Sequence, residues 1–148
     1  MLTCNKTIRL TISALSIAAL LNTPMHAVAA TEGSSAGTTR YAPASVEMEV
    51  QKVSEHVYYV EGAPGVATDN EGFISNAGFI VTDDGVVIFD SLGTPSLAAK
   101  LVKKIQAVTD QPIKKVIVSH FHADHIYGLQ VFEELGAEII APYGAQKY

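Results

Sequence analysis

The sequence predicts an α/β fold, a mixed sheet with flanking helices, on three observations. Two apolar runs, Asn76–Val81 and Val86–Asp90, flank the turn Thr82-Asp83-Asp84-Gly85, and an Asp-Gly step is a strong hairpin signal. Thr94-Pro95-Ser96 opens a helical pattern. The β-branched run Ile113–Ser119 leads through a polar hexapeptide into a second helical pattern, Ile126–Leu135.

Residues 1–29 have the make-up of a secretory signal peptide: Lys6 and Arg9, an apolar run from Leu10 to Leu21, and Ala27-Val28-Ala29 as the small-residue cleavage pattern. A membrane helix needs about twenty apolar residues, and Ser13, Ser16 and Asn22 interrupt this shorter run. Cleavage near Ala29 predicts a secreted or periplasmic chain with no stable membrane anchor. Such a chain keeps no cysteine, since Cys4 lies in the leader, and folds without disulfides. His26 leaves with the leader.

Residues 30–45, rich in Gly, Ser, Thr and Ala, read as a flexible linker. The folded part, 46–148, begins with strand alternation through Val50 and Val53, then a second strand over His56–Glu61 carrying Tyr58 and Tyr59. His56 has no clustered partner and reads as a strand histidine. Between Gly62 and Ser75 runs a polar loop, long enough to be functional or simply a surface connection. After the hairpin, Leu97, Leu101, Val102, Ile105 and Val108 recur at helical spacing, the apolar stripe of a helix packed on a sheet. Lys100, Lys103 and Lys104, with Lys114 and Lys115, form either a solvated face or an anion-binding patch.

Removal of Lys6 and Arg9 leaves eight basic against fifteen acidic residues, a formal charge of −7. Binding to nucleic acid draws on clustered Lys and Arg, so the balance excludes nucleic acid as partner and favours a small-molecule substrate.

Three imidazoles and a carboxylate occupy the six residues His120-Phe121-His122-Ala123-Asp124-His125. In extended chain, residues two apart lie about 6 to 7 Å from each other on one face, which lets His120 and His122 share an ion at nitrogen distances of about 2.0 to 2.1 Å. The chain must turn after His122 for Asp124 to join them, and small Ala123 permits it. Asp124 and His125, being adjacent, are expected to diverge and to face a second ion. The pattern points to a paired-metal site.

This cluster resembles the HxHxDH signature of the metallo-β-lactamase superfamily, and the resemblance runs from about Val46 onward. It implies a four-layer αββα sandwich of two similar halves, of which this chain supplies about the first. It implies His120 and His122 as ligands of one zinc and Asp124 and His125 as ligands of a second, with iron as an alternative metal. Asp124 would also orient the water and take part in catalysis. Asp90, at the strand end before Ser91-Leu92-Gly93, would hydrogen-bond groups beside the metals and fix their orientation, unless it is a turn or capping aspartate. The Gly62–Ser75 loop corresponds to one that overhangs the metals in the superfamily.

The chemistry so implied is hydrolysis. Zinc lowers the pKa of its water to about 7 and supplies hydroxide at neutral pH, for attack on an amide, ester or thioester. β-Lactams, a thioester of the glyoxalase type and a sulfur- or quinone-related metabolite are the substrate options.

After His125 the chain has no further His, Asp or Cys, and only Glu133, Glu134 and Glu138 as carboxylates, of which the first two read as solvent-facing. The expectation is an incomplete site in a fragment or a natural truncation, with one sheet face left to self-association. A metal-binding or interaction module without catalysis is the alternative function.

Overall fold

A computed structural model describes residues 40–145. The signal peptide and most of the linker expected from the sequence lie outside them. Six strands form one sheet in chain order: β1 (Val50–Lys52), β2 (Val57–Val60), β3 (Ala77–Thr82), β4 (Gly85–Phe89), β5 (Ile113–Ile117) and β6 (Glu138–Ile140). The first four pair antiparallel, and β4–β5 and β5–β6 pair parallel. The sheet is therefore mixed, as the sequence predicts.

The β3–β4 hairpin closes with Thr82 opposite Gly85, and the Thr82 hydroxyl donates to the Gly85 carbonyl at 2.6 Å. Gly85 has φ +132° and packs so tightly that a Cβ would sit 2.6 Å from the Pro112 carbonyl, which leaves glycine as the residue that fits. Antiparallel strands join through such a two-residue turn, whereas the parallel pair β4–β5 needs a crossover. Helix α1 (Pro95–Gln106) supplies it.

Thr94 caps α1, its hydroxyl accepting the Leu97 amide at 3.2 Å, with Pro95 in the first turn. Leu97, Leu101, Val102 and Ile105 are buried as the spacing predicts. Val108 is not part of that face: it lies past the helix end and is 38% exposed.

The helix expected over Ile126–Leu135 is two short helices instead, α2 (Ala123–Ile126) and α3 (Leu129–Glu134). The cause is tertiary. Gly128 lies against the turn after β4, its amide donating to the Leu92 carbonyl at 3.1 Å, and the chain bends there instead of continuing straight.

Alternation along the strands sorts two rows of side chains. Ile88, Val116 and Ile139 are register partners across β4, β5 and β6, and all three join the core formed with α1 and with Val131 and Phe132 of α3. The neighbouring row, Phe89, Ile117 and Ile140, points away from the helices. Phe89 and Ile140 are 41% and 37% exposed.

Residues 40–45, assigned to the linker by composition, are tied to this body. Tyr41 and Ala44 pack against the core, and Arg40 and the Tyr41 hydroxyl both reach Glu134 at 2.7 and 2.8 Å. Glu134 is thus an anchor for this segment and not simply a solvent-facing charge. Lys100, counted among the surface lysines, donates to the carbonyls of Ala44 and Val46.

The Ser45 hydroxyl and amide both donate to Glu71. These bonds, the hydroxyl's first, hold the Glu71 carboxyl below its ordinary range. A carboxylate whose pKa is depressed by folding stabilises the fold above its unfolded pKa and loses that contribution as pH falls through the folded value. Acidification is therefore expected to reduce hydrogen-exchange protection of the Ser45 amide before the core loosens. Glu71→Gln, which keeps one acceptor oxygen of the two, should reduce that protection already at neutral pH. The effect is local, because exposed charge contacts contribute little.

Candidate metal centre

Parallel β4 and β5 end side by side, so the turn leaving β4 meets the segment leaving β5. The Asp90 amide donates to the Ile117 carbonyl at 2.9 Å, continuing the pairing one residue beyond β4. Asp90 then takes φ +60° and Leu92 φ +67°, conformations that non-glycine residues adopt at a cost of about 1 to 3 kcal/mol. The turn they make is buried, with Leu92 fully enclosed and Asp90 8% exposed. A strained, buried turn at the carboxyl ends of parallel strands makes this end of the sheet the candidate site.

The histidine motif occupies the matching position after β5. His122 is extended (φ −65°, ψ 143°) and occupies the N-cap position of α2 without a capping side-chain bond, so the turn expected after His122 is present. It is closed by the His125 amide on the His122 carbonyl at 2.9 Å. The rings of His120 and His122 lie 4.6 Å apart, and those of His120 and His125 4.1 Å. All three imidazoles are thus gathered, with His120 in the middle.

Asp124 and His125 do not diverge as adjacency suggests. Asp124 Oδ2 lies 3.3 Å from His125 Nε2, because the first turn of a helix folds both side chains toward the same end. Two donors of a tetrahedral zinc with bonds of about 2.0 to 2.1 Å stand about 3.3 Å apart, so this pair suits two corners of such a site. Among the described residues, however, no three His, Cys, Asp or Glu side chains converge as an ion requires. The residues present do not make a complete site.

Around the motif a set of hydrogen bonds fixes its position. Asp90 Oδ1 accepts the Ser119 amide at 2.8 Å, and Oδ2 accepts the Ser119 hydroxyl and contacts His125 Nδ1, each at 2.8 Å. Asp90 is therefore bonded to the motif and is no helix cap; α1 is capped by Thr94. The Ser91 amide and hydroxyl both donate to the His125 carbonyl, at 2.8 and 2.9 Å. The Ser75 hydroxyl donates to the Asp124 carbonyl, which ties the end of the Gly62–Ser75 loop to the motif. His56 stands apart on the surface, 4.0 Å from Glu55.

Sequence reasoning missed the three serines 75, 91 and 119. Ser119 and Ser91 carried a signal, each being the hydroxyl residue next to a singled-out side chain where a strand ends. Ser75 carried none, because its partner lies 49 residues away.

Beside His120 opens a groove of about 870 Å³, lined mainly by apolar side chains including Phe121, Ile126, Tyr127, Leu129 and Ile139. It is large enough for a small organic molecule.

Comparison with known proteins gives a consistent picture. A sequence model of the metallo-beta-lactamase superfamily matches residues 70–144, half of the chain. Among solved structures, a metallo-beta-lactamase from Pontibacter korlensis matches with a TM-score of 0.57 and 21% identity, over 66% of this chain and 44% of that one. One from Hirschia baltica matches with a TM-score of 0.57 and 22% identity, over 68% of this chain and 45% of that one. A linear primary-alkylsulfatase from Pseudomonas sp. is 32% identical over 53 residues. The chain spans about a tenth of the alkylsulfatase's length and under half the length of either structure.

Proposed function

We propose that this chain, which belongs to the metallo-beta-lactamase superfamily, carries part of the active site of an exported metal-dependent hydrolase acting on a small molecule. Superfamily members generally bind metal ions, usually zinc. The observation that carries the reading is the gathering of His120, His122, Asp124 and His125 at the end of β5, with Asp90 bonded to His125. In the complete fold His120 and His122 would hold one ion, and Asp124 and His125 a second. Such an ion supplies Lewis acidity and a more acidic water when bound.

The chain's own contribution is orientation. Asp90 holds the His125 ring so that Nε2 faces Asp124, and Asp124, with its main chain fixed by Ser75, would orient a water and receive its proton. An amide, ester or thioester with an apolar part would lie in the groove beside His120. The same reading gives the Phe89, Ile117 and Ile140 row to contact with further protein, either a second half of the sandwich or another copy. Residues 1–29 are read as the export signal.

A second reading, a metal-binding or interaction module without catalysis, is favoured by the missing third donor among the described residues. Zinc titration of the full chain, followed by NMR of the imidazoles, tests both. Weak binding is expected, with His120, His122 and His125 responding and His56 unchanged, and with loss of that response in His122→Ala. No turnover of an ester or β-lactam above a zinc-only control is expected from this chain alone. An unresponsive cluster would sink the metal reading; two tightly held equivalents with turnover would show that the site is already complete.

A further inference from the structure

Two of the three imidazoles depend on one carboxylate, and proton counting shows how. Asp90 Oδ1 receives the Ser119 amide, and Oδ2 has both the Ser119 hydroxyl and His125 Nδ1 at 2.8 Å. Both oxygens are acceptors, and an ionised carboxylate has no proton to give. His125 must therefore present Nδ1–H to it. Ser119 must spend its single hydroxyl proton on the same Oδ2.

That assignment fixes the next contact. Ser119 Oγ also lies 2.9 Å from His120 Nδ1. With its proton committed to Asp90, the oxygen faces His120 with lone pairs alone, and the contact is attractive only when His120 carries its proton on Nδ1. The reverse arrangement would set hydroxyl lone pairs against the carboxylate. Tautomers of histidine are set in this way by whatever the other ring nitrogen meets.

We propose that Ser119 is a positioning residue that relays Asp90 to His120. It holds that ring in the Nδ1–H tautomer with the Nε2 lone pair free; Asp90 imposes the same Nδ1–H directly on His125, whose Nε2 faces Asp124 Oδ2 at 3.3 Å. One buried carboxylate thus prepares a histidine of each proposed ligand pair, and the two are oriented together. A hydroxyl at position 119 is the chemical requirement, so threonine can replace serine and alanine cannot. The purpose assigned to the relay, presenting Nε2 to a metal, rests on the metal reading above; the tautomer itself does not.

Long-range ¹H–¹⁵N correlation spectra of the full ¹⁵N-labelled chain, without metal and at a pH where imidazoles are neutral, read the tautomers directly. Nδ1–H is expected for both His120 and His125. Ser119→Ala should release His120 to a mixture rich in Nε2–H while His125 stays as it was, which also shows that the fold persists. Ser119→Thr should restore the Nδ1–H form of His120. A His120 that is Nε2–H in the unmodified chain, or that keeps Nδ1–H in Ser119→Ala, overturns the relay. Zinc affinity is the separate arm: about a 10- to 100-fold loss is expected in Ser119→Ala, recovered in Ser119→Thr, as for other groups that orient a ligand. A tautomer response with no zinc bound by either chain leaves the relay standing and overturns the metal reading.

Discussion

Gly128→Ala should destabilise the chain by about 3 kcal/mol or more, the upper end of overpacking costs, and lower its thermal midpoint accordingly. Helix propensity and packing act in opposite directions at this position. Helix propensity favours Ala over Gly by about 1 kcal/mol, and Gly128 lies between two short helices at φ −86°, a value any residue accepts. On local grounds the substitution should fuse α2 to α3 and stabilise the protein. Packing says otherwise. A Cβ at 128 would fall 2.0 Å from the Ser91 carbonyl oxygen and 2.7 Å from the Ala98 Cβ. The oxygen belongs to the backbone of a buried turn and has no rotamer through which to retreat. The steric cost therefore outweighs the propensity gain. Because the displaced turn carries Asp90, loss of the His125 contact should accompany the loss of stability. An unchanged or raised midpoint in urea or thermal unfolding would show that the two helices tolerate fusion and that the turn is not held as described.

The second large effect is expected from Asp90→Asn, which alters charge with little change of shape. Asparagine tolerates positive φ, so the backbone at φ +60° is not the issue, as it would be with alanine. The carboxylate receives three contacts, one at Oδ1 and two at Oδ2. An amide has one oxygen and one NH₂ group. Whichever way it is turned, the NH₂ meets at least one donor, and one or two of the contacts are lost in a largely buried place. Each bond to a charged group is worth about 1.5 to 3 kcal/mol, so a stability loss of that order is expected. A fall in zinc affinity of about 10- to 100-fold should accompany it. Calorimetry and zinc titration of the same preparation separate the two consequences. Asp90→Asn with unaltered stability and unaltered affinity would remove Asp90 from its assigned role.

Much of the local architecture was legible in the residues. The Asp83-Asp84-Gly85 turn, the Thr94 cap with Pro95, and the strand-to-helix setting of the histidine motif each depend on neighbours a few positions apart. Each is present where expected. The motif also identified the superfamily, because three imidazoles and a carboxylate at that spacing have few structural uses.

What was not legible depends on distance in the chain. Lys100 read as a surface charge because nothing near it shows that the carbonyls of Ala44 and Val46, more than fifty residues earlier, come to its ammonium group. Glu134 likewise gains its role from Arg40 and Tyr41, 94 and 93 residues away. The break at Gly128 arises from contact with Ser91, and the nearness of Asp124 to His125 from the turn of a helix too short to announce itself by periodicity.

By itself the sequence determined the element types and the mixed α/β class and singled out the histidine motif, since propensity, capping and side-chain chemistry reside in short stretches of chain. The tertiary structure alone decided how those side chains are aimed. Parallel pairing of β4 with β5 sets Asp90 beside Ser119 and His125, and no local pattern can encode a contact that exists only once two strands distant in the chain lie in register.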